Sequence, residues 1–182
     1  MRRRLWLAGM VICALLVPWL GNVLYPWPYQ TAFLAAGRTT GVSPYLLAAV
    51  ARAESRFDPT ARSRRGAVGV MQLLPETAGY LTNHSAASVA ADLIHAKFSI
   101  AVGAEYLARL EAEFHSTTAA VAAYNGGDAT VKAWIAQGVW RPGDSPRRIP
   151  FPETAAFVER VRHYTRWYTY LYPGRGITPT AR

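Results

Sequence analysis

Residues 43–59 constrain the fold most. Ser43-Pro44 is a helix start, with serine as N-cap and proline at the first helical position, and Asp58-Pro59 stops the helix. Between them the chain is largely apolar up to Glu54. Leu47, Val50 and Glu54 recur at i, i+3 and i+7 and so share one helix face. A carboxylate on a core-facing stripe is costly unless something uses it. Burial and the negative end of the helix dipole both favour its protonated form. A carboxyl group that stays protonated near neutral pH is what a general acid requires. The alternative from position alone is a glutamate at a helix end that turns out to solvent.

The rest of the chain carries the same 3.6-residue punctuation. Short helices are predicted after Pro75 and over residues 88–94, and a longer one over 98–114, with Gly103, Leu107, Leu110 and Phe114 on one side. Residues 117–124 form a small-residue helix that lets neighbours approach closely, closed by Asn125-Gly126-Gly127. Asp128 is predicted to cap a helix over 129–137, and a last helix over 153–172 holds Phe157, Val161, Tyr164, Tyr168 and Leu171 in register. Residues 30–42 read as a short link and residues 58–72 as loop, with room for one short β-hairpin. The fold class is all-α. The expected division is 1–29 as a membrane segment, 30–172 as the helical domain and 173–182 as a frayed tail.

Composition narrows the function. The formal charge is +9, yet the arginines are scattered and no nucleic-acid recognition pattern appears, so a basic surface facing an anionic polymer or membrane is the better reading. The one cysteine, Cys13, excludes a disulfide framework and leaves the body without a thiol nucleophile. His84, His95, His115 and His163 form no metal-ligand spacing, so neither metal nor cofactor is expected.

Arg2, Arg3 and Arg4 precede an apolar run from Leu5 to about Leu20. This is the pattern of a positively charged region followed by a hydrophobic segment. With its flank the segment is just long enough to span a bilayer, and Trp19, Tyr25, Trp27 and Tyr29 would form an aromatic belt at the far interface. The positive-inside rule places the following residues outside the cytoplasm. An uncleaved single-pass anchor is favoured over a signal cleaved on export.

The order of motifs is Glu54-Ser55, then Ser63, the loop from Gly66 to Gln72, Ala123-Tyr124-Asn125-Gly126, and Ile149-Pro150-Phe151-Pro152-Glu153-Thr154. It resembles the SLT-type lytic transglycosylases, which share the goose-lysozyme-like fold, and covers residues 41–172. Ser99 departs from the pattern, standing where the family usually has asparagine. Leu74 stands where some relatives place a groove-lining methionine.

The resemblance implies roles. Glu54 matches a single catalytic acid/base that protonates the bond between N-acetylmuramic acid and N-acetylglucosamine in peptidoglycan. It then accepts a proton from the muramoyl 6-hydroxyl, closing a 1,6-anhydro ring. Ser63, Gln72 and Met71 match the substrate-side loop, Tyr124 the tyrosine that orients the carboxyl, Asn125 the helix close, and Glu153 a second acidic residue at the groove. The structural alternatives are a turn cap for Ser63, a loop-fixing amide for Gln72, a core tyrosine for Tyr124 and a helix first-turn glutamate for Glu153. Arg62, Arg64 and Arg65 could meet peptide-stem carboxylates or form a solvated loop. The expected partners are glycan strands and the inner membrane. A lysozyme-type muramidase and a non-catalytic wall-binding scaffold are the competing functions.

Overall fold

In the computed structural model, residue 21 and residues 23–174 are described. Among the described residues, from Gln30 on, eight α-helices follow in chain order: α1 (Gln30–Thr40), α2 (Pro44–Ser55), α3 (Pro75–Thr82), α4 (Ala86–Asp92), α5 (Ala96–Phe114), α6 (Thr117–Gly126), α7 (Asp128–Ala136) and α8 (Pro152–Leu171), with a 3₁₀ turn at Pro146–Arg148 before the last. The expected hairpin is reduced to two isolated antiparallel bridges, Arg62 with Val68 and Val68 with Leu73, and no strand forms among the described residues. The long loop is instead held by side chains from the helices around it.

The core is centred on α2. Every residue from Pro44 to Ala51 is buried, which is the signature of a helix packed on all sides. It lies against α8, α1 and α5. The small-residue helix α6 is buried from Ala119 to Ala123 and sits among α5, α7 and α8. Alanine there allows close approach on several faces at once. Ser43 takes the N-cap place of α2 without making a side-chain cap hydrogen bond. Asp128 lies inside the first turn of α7, and the N-cap is Gly127. The carboxylate therefore favours that helix through the dipole and not as its cap.

Two expectations at the N-terminal side are corrected. Residues 30–40 are a helix, α1, whose Phe33 is wholly buried against Phe57 and which ends in an αL cap at Gly41. Tyr25 and Trp27 do not stand out as a belt. Trp27 is buried against Tyr45, Tyr168 and Tyr172, and Tyr25 stacks on Trp167 with ring centroids 5.2 Å apart. Arg52 locks this segment down. Its guanidinium lies 4.7 Å from the ring centroids of both Tyr25 and Tyr164 and donates to the Leu24 carbonyl at 2.7 Å. No helix among the described residues is long and apolar enough to cross a membrane. Residues 1–20, where the span and Trp19 were placed, lie outside the described residues, as do residues 175–182 of the expected tail.

Candidate active site

Glu54 leaves the core at the last turn of α2, and the chain then reverses through two consecutive non-glycine residues at positive φ, Arg56 at 55° and Phe57 at 69°. Such residues need surrounding structure to hold them. Phe57 supplies it by burying its ring against Phe33 and Tyr168. The reversal brings residues 61–74 back over the end of α2, forming an open groove of about 320 Å³. Its walls are Glu54, Ser63, Arg64, Arg65, Ala67, Gln72, Leu74, Tyr124, Asn125 and Glu153.

Glu54 keeps intermediate surface exposure, but its carboxyl is poorly solvated. A group at the bottom of a groove can retain accessible area while protein fills most of the volume around it. Burial pushes its pKa from 4.5 up to about 8. The positive charge of Arg160 opposes the rise and the negative charge of Glu153 adds to it. Near neutral pH the group is therefore largely protonated, as a proton donor must be.

The loop facing it is pinned by three hydroxyls from three helices, all on adjacent peptide groups. From α2, Ser55 Oγ donates to the Val70 carbonyl at 2.7 Å. From α5, the buried Ser99 Oγ accepts from the Met71 N–H at 3.1 Å. From α6, the Tyr124 hydroxyl donates to the Met71 carbonyl at 2.8 Å. Gly69, at φ 84°, completes the close approach: a Cβ there would stand 2.0 Å from the Leu93 carbonyl oxygen.

Glu54, Ser63, Gln72, Tyr124, Asn125 and Glu153 are all brought to this one groove. Met71 is not: its side chain is fully buried against Gly103, where a Cβ would meet Met71 at 2.7 Å, and only its backbone serves the site. Tyr124 spends its proton on the Met71 carbonyl, not on Glu54, and its link to Glu54 is electrostatic. Burial and then the charge of Glu54 hold the phenol well above its usual pKa. Gln72, itself at φ 48°, donates both hydrogens of its amide to the Ala61 and Gly69 carbonyls at 3.0 Å each, so it fixes the loop and offers its oxygen to the groove. Ser63 Oγ accepts from the Ala67 N–H at 3.0 Å, a turn closure that leaves its proton available to a ligand. Asn125 Oδ1 accepts from Thr154 at 2.9 Å, which ties α6 to α8 beside the exposed Glu153. Arg64 and Arg65 line the groove, whereas Arg62 takes part in the bridge to Val68.

Sequence reasoning missed Ser55 as a positioning group, and it noted Ser99 only as a departure from the family pattern. It also missed Arg160. The one available signal for Ser99 was a polar residue on the apolar stripe of α5.

The described residues form an all-helical domain that sets a poorly solvated carboxyl in an open groove, the setting of a general acid. Sequence comparison identifies the family that shares this arrangement. The family described as Transglycosylase SLT domain matches residues 31–144, and the chain belongs to that family. It is 29% identical over 153 residues to the soluble lytic murein transglycosylase of Salmonella typhimurium, covering 81% of this chain and 24% of that protein. To the putative soluble lytic murein transglycosylase of Haemophilus influenzae it is 32% identical over 151 residues, covering 80% and 26%. The crystal structure of the 70 kDa soluble lytic transglycosylase from Escherichia coli superposes with a TM-score of 0.76 at 27% identity, covering 85% of this chain and 26% of that one. A complex of the 70 kDa soluble lytic transglycosylase with bulgecin A matches equally well, with a TM-score of 0.76 and coverage of 89% and 27%. The chain thus spans about a quarter of the length of these relatives.

Proposed function

We propose that this chain is a peptidoglycan lytic transglycosylase that acts outside the cytoplasm, held at the membrane by the apolar segment of residues 5–20. Glu54 in its protonated form donates to the glycosidic oxygen between N-acetylmuramic acid and N-acetylglucosamine, and the C1–O bond breaks. The resulting Glu54 carboxylate accepts the proton of the muramoyl 6-hydroxyl as that oxygen bonds to C1. The product is a 1,6-anhydro ring and Glu54 is returned protonated. One carboxyl thus serves as acid and then base, unlike the two-carboxylate arrangement of most glycosidases.

The observation that carries this reading is the placement of Glu54, at the end of a buried helix and lining an open groove with Ser63, Gln72 and Tyr124, where burial pushes its pKa up to about 8. A group near the operating pH can give and take a proton with little loss in either direction. Family membership and the names of the relatives support the substrate. Ser63, through its free proton, and Gln72, through its free oxygen, would contact the sugars, while Arg64 and Arg65 would face stem-peptide carboxylates.

Glu153 favours a second reading, hydrolysis of lysozyme type, because it places another carboxylate on the same groove. Mass spectrometry of products from purified sacculi separates the two. Anhydro-muramoyl ends are expected, and reducing ends would give the hydrolase. Glu54→Gln is expected to abolish release of soluble muropeptides while keeping the helical circular dichroism. Persisting release would overturn the role of Glu54.

A further inference from the structure

We propose that the outer face of the second half of α8, together with residues 23 and 24, rests on an anionic lipid surface. The inference builds on the membrane placement above and adds to it a docking face of the folded domain. Exposed large apolar side chains concentrate here: Val23 is 56% exposed, Leu24 54%, Tyr170 67% and Trp167 36%. They form one patch. Tyr25 stacks on Trp167, and Trp167 meets Tyr170 edge-on at 5.9 Å. Leu24 and Tyr25 line a cavity with His163 and Tyr164 of the same helix.

The charge around the patch is basic. Arg162 and Arg166 are exposed on α8, and Arg56 adjoins Val23 and Leu24. The acid on this stretch of α8, Glu159, is paired with Arg162 at 3.0 Å, so that pair cancels and Arg166 and Arg56 carry the net positive charge. Trp and Tyr rings with arginines around them suit the headgroup layer, where rings sit at the boundary and cations meet lipid phosphates. An exposed helix meant only for water has little reason to carry both rings.

The path of the chain supplies the occupant. Gly21 lies directly against Leu171 at the end of α8, where a Cβ would come within 2.3 Å of Leu171 Cδ2. The apolar run of residues 5–20 therefore joins the domain at the edge of this patch, so a bilayer holding that run meets α8 there. Glu153 at the groove and Tyr170 at the patch are separated by roughly 25 Å of helix axis, so α8 sets the groove apart from the lipid surface.

The test uses the full chain in vesicles of phosphatidylethanolamine and phosphatidylglycerol. Two proteins are nitroxide-labelled after Cys13→Ser, one at Tyr170→Cys and one at Tyr80→Cys, a 78% exposed site on α3. Collision with oxygen, which partitions into lipid, is compared with collision with a water-soluble nickel complex. The label at 170 is expected to favour oxygen and the label at 80 to favour nickel. Arg162→Gln with Arg166→Gln, or vesicles of phosphatidylcholine alone, should shift the 170 label towards nickel. Equal preference for nickel at both sites overturns the docking face, and an unmoved ratio on removing charge overturns the anionic assignment. Failure of the full chain to float with the vesicles overturns the membrane placement and this inference together. None of these outcomes bears on muropeptide release, which tests the chemistry separately.

Discussion

At the scale of single residues, the chemistry rests on how far the protein displaces one carboxyl from its ordinary pKa. A raised folded-state pKa means that Glu54 contributes stability fully present below the unfolded value of 4.5 and lost as pH rises through about 8. Glutamine cannot ionise. Glu54→Gln is therefore expected to match the parent near pH 4 and to melt at progressively higher temperature than the parent as pH approaches 9, in thermal scans across that range. The same balance predicts opposite shifts from its two charged neighbours. Arg160 lowers the Glu54 pKa and Glu153 raises it. Arg160→Ala should move the alkaline limb of the muropeptide-release profile to higher pH, and Glu153→Gln should move it to lower pH. Limbs that stay together in both variants would show that Glu54 does not set the profile. Glu54 itself was legible in the sequence, because a carboxylate among apolar i, i+3, i+7 positions is a visible anomaly. Of its two electrostatic partners, Glu153 entered only through the family resemblance and Arg160 not at all, since both sit on α8, about a hundred residues away, and only the fold brings them near.

At the scale of elements, the site depends on a loop with almost no regular structure of its own. Residues 68–73 make only isolated bridges, yet Val68, Val70, Met71 and Leu73 are buried. Buried backbone polar groups need partners, and Ser55, Ser99 and Tyr124 provide them from α2, α5 and α6. Such contacts have no sequence signature, because a backbone acceptor looks the same at every position. For that reason the loop and its groove residues could be read in advance, whereas the direction of the Tyr124 hydroxyl and the burial of Met71 could not. Ser99→Ala would leave the Met71 N–H buried without an acceptor, at an expected cost of about 1–3 kcal/mol in urea unfolding. It should also raise KM through loosened Gln72 and Leu74, while Ser99→Asn, which restores an acceptor, should recover part of both losses. A Ser99→Ala protein with unchanged stability would mean that the hydroxyl does not hold the loop.

At the scale of the whole molecule, α1 and the segment before it show where local patterns fail. Helix α1 lacks a side-chain cap, carries Gly37 inside it and starts after Tyr29 in the αL region, so its local signals are weak. What makes it helical is tertiary: Phe33, Ala36 and Gly37 are buried, and the helix packs on α2 and α5. Trp27 makes the same point more sharply. Beside an apolar run, an isolated Trp reads as a membrane-interface anchor, but here its ring closes an aromatic cluster, 5.4 Å from Tyr45, 5.8 Å from Tyr168 and 5.1 Å from Tyr172. Its indole nitrogen is buried with no hydrogen-bond partner, so its contribution is packing and not polarity. Trp27→Ala is then expected to cost about 3–5 kcal/mol, as large-to-small core substitutions do. Trp27→Phe should recover much of that loss, since no hydrogen bond disappears with the indole. Both would be measured on the detergent-solubilised full chain, where no bilayer interface remains to reward a belt residue. If Trp27 served only a membrane, its removal there would leave the melting temperature where it was. A loss of several kcal/mol would make residues 23–29 part of the folded domain, clamped by Arg52 two positions before Glu54. The segment that leads to the membrane and the helix that carries the acid would then be one mechanical unit.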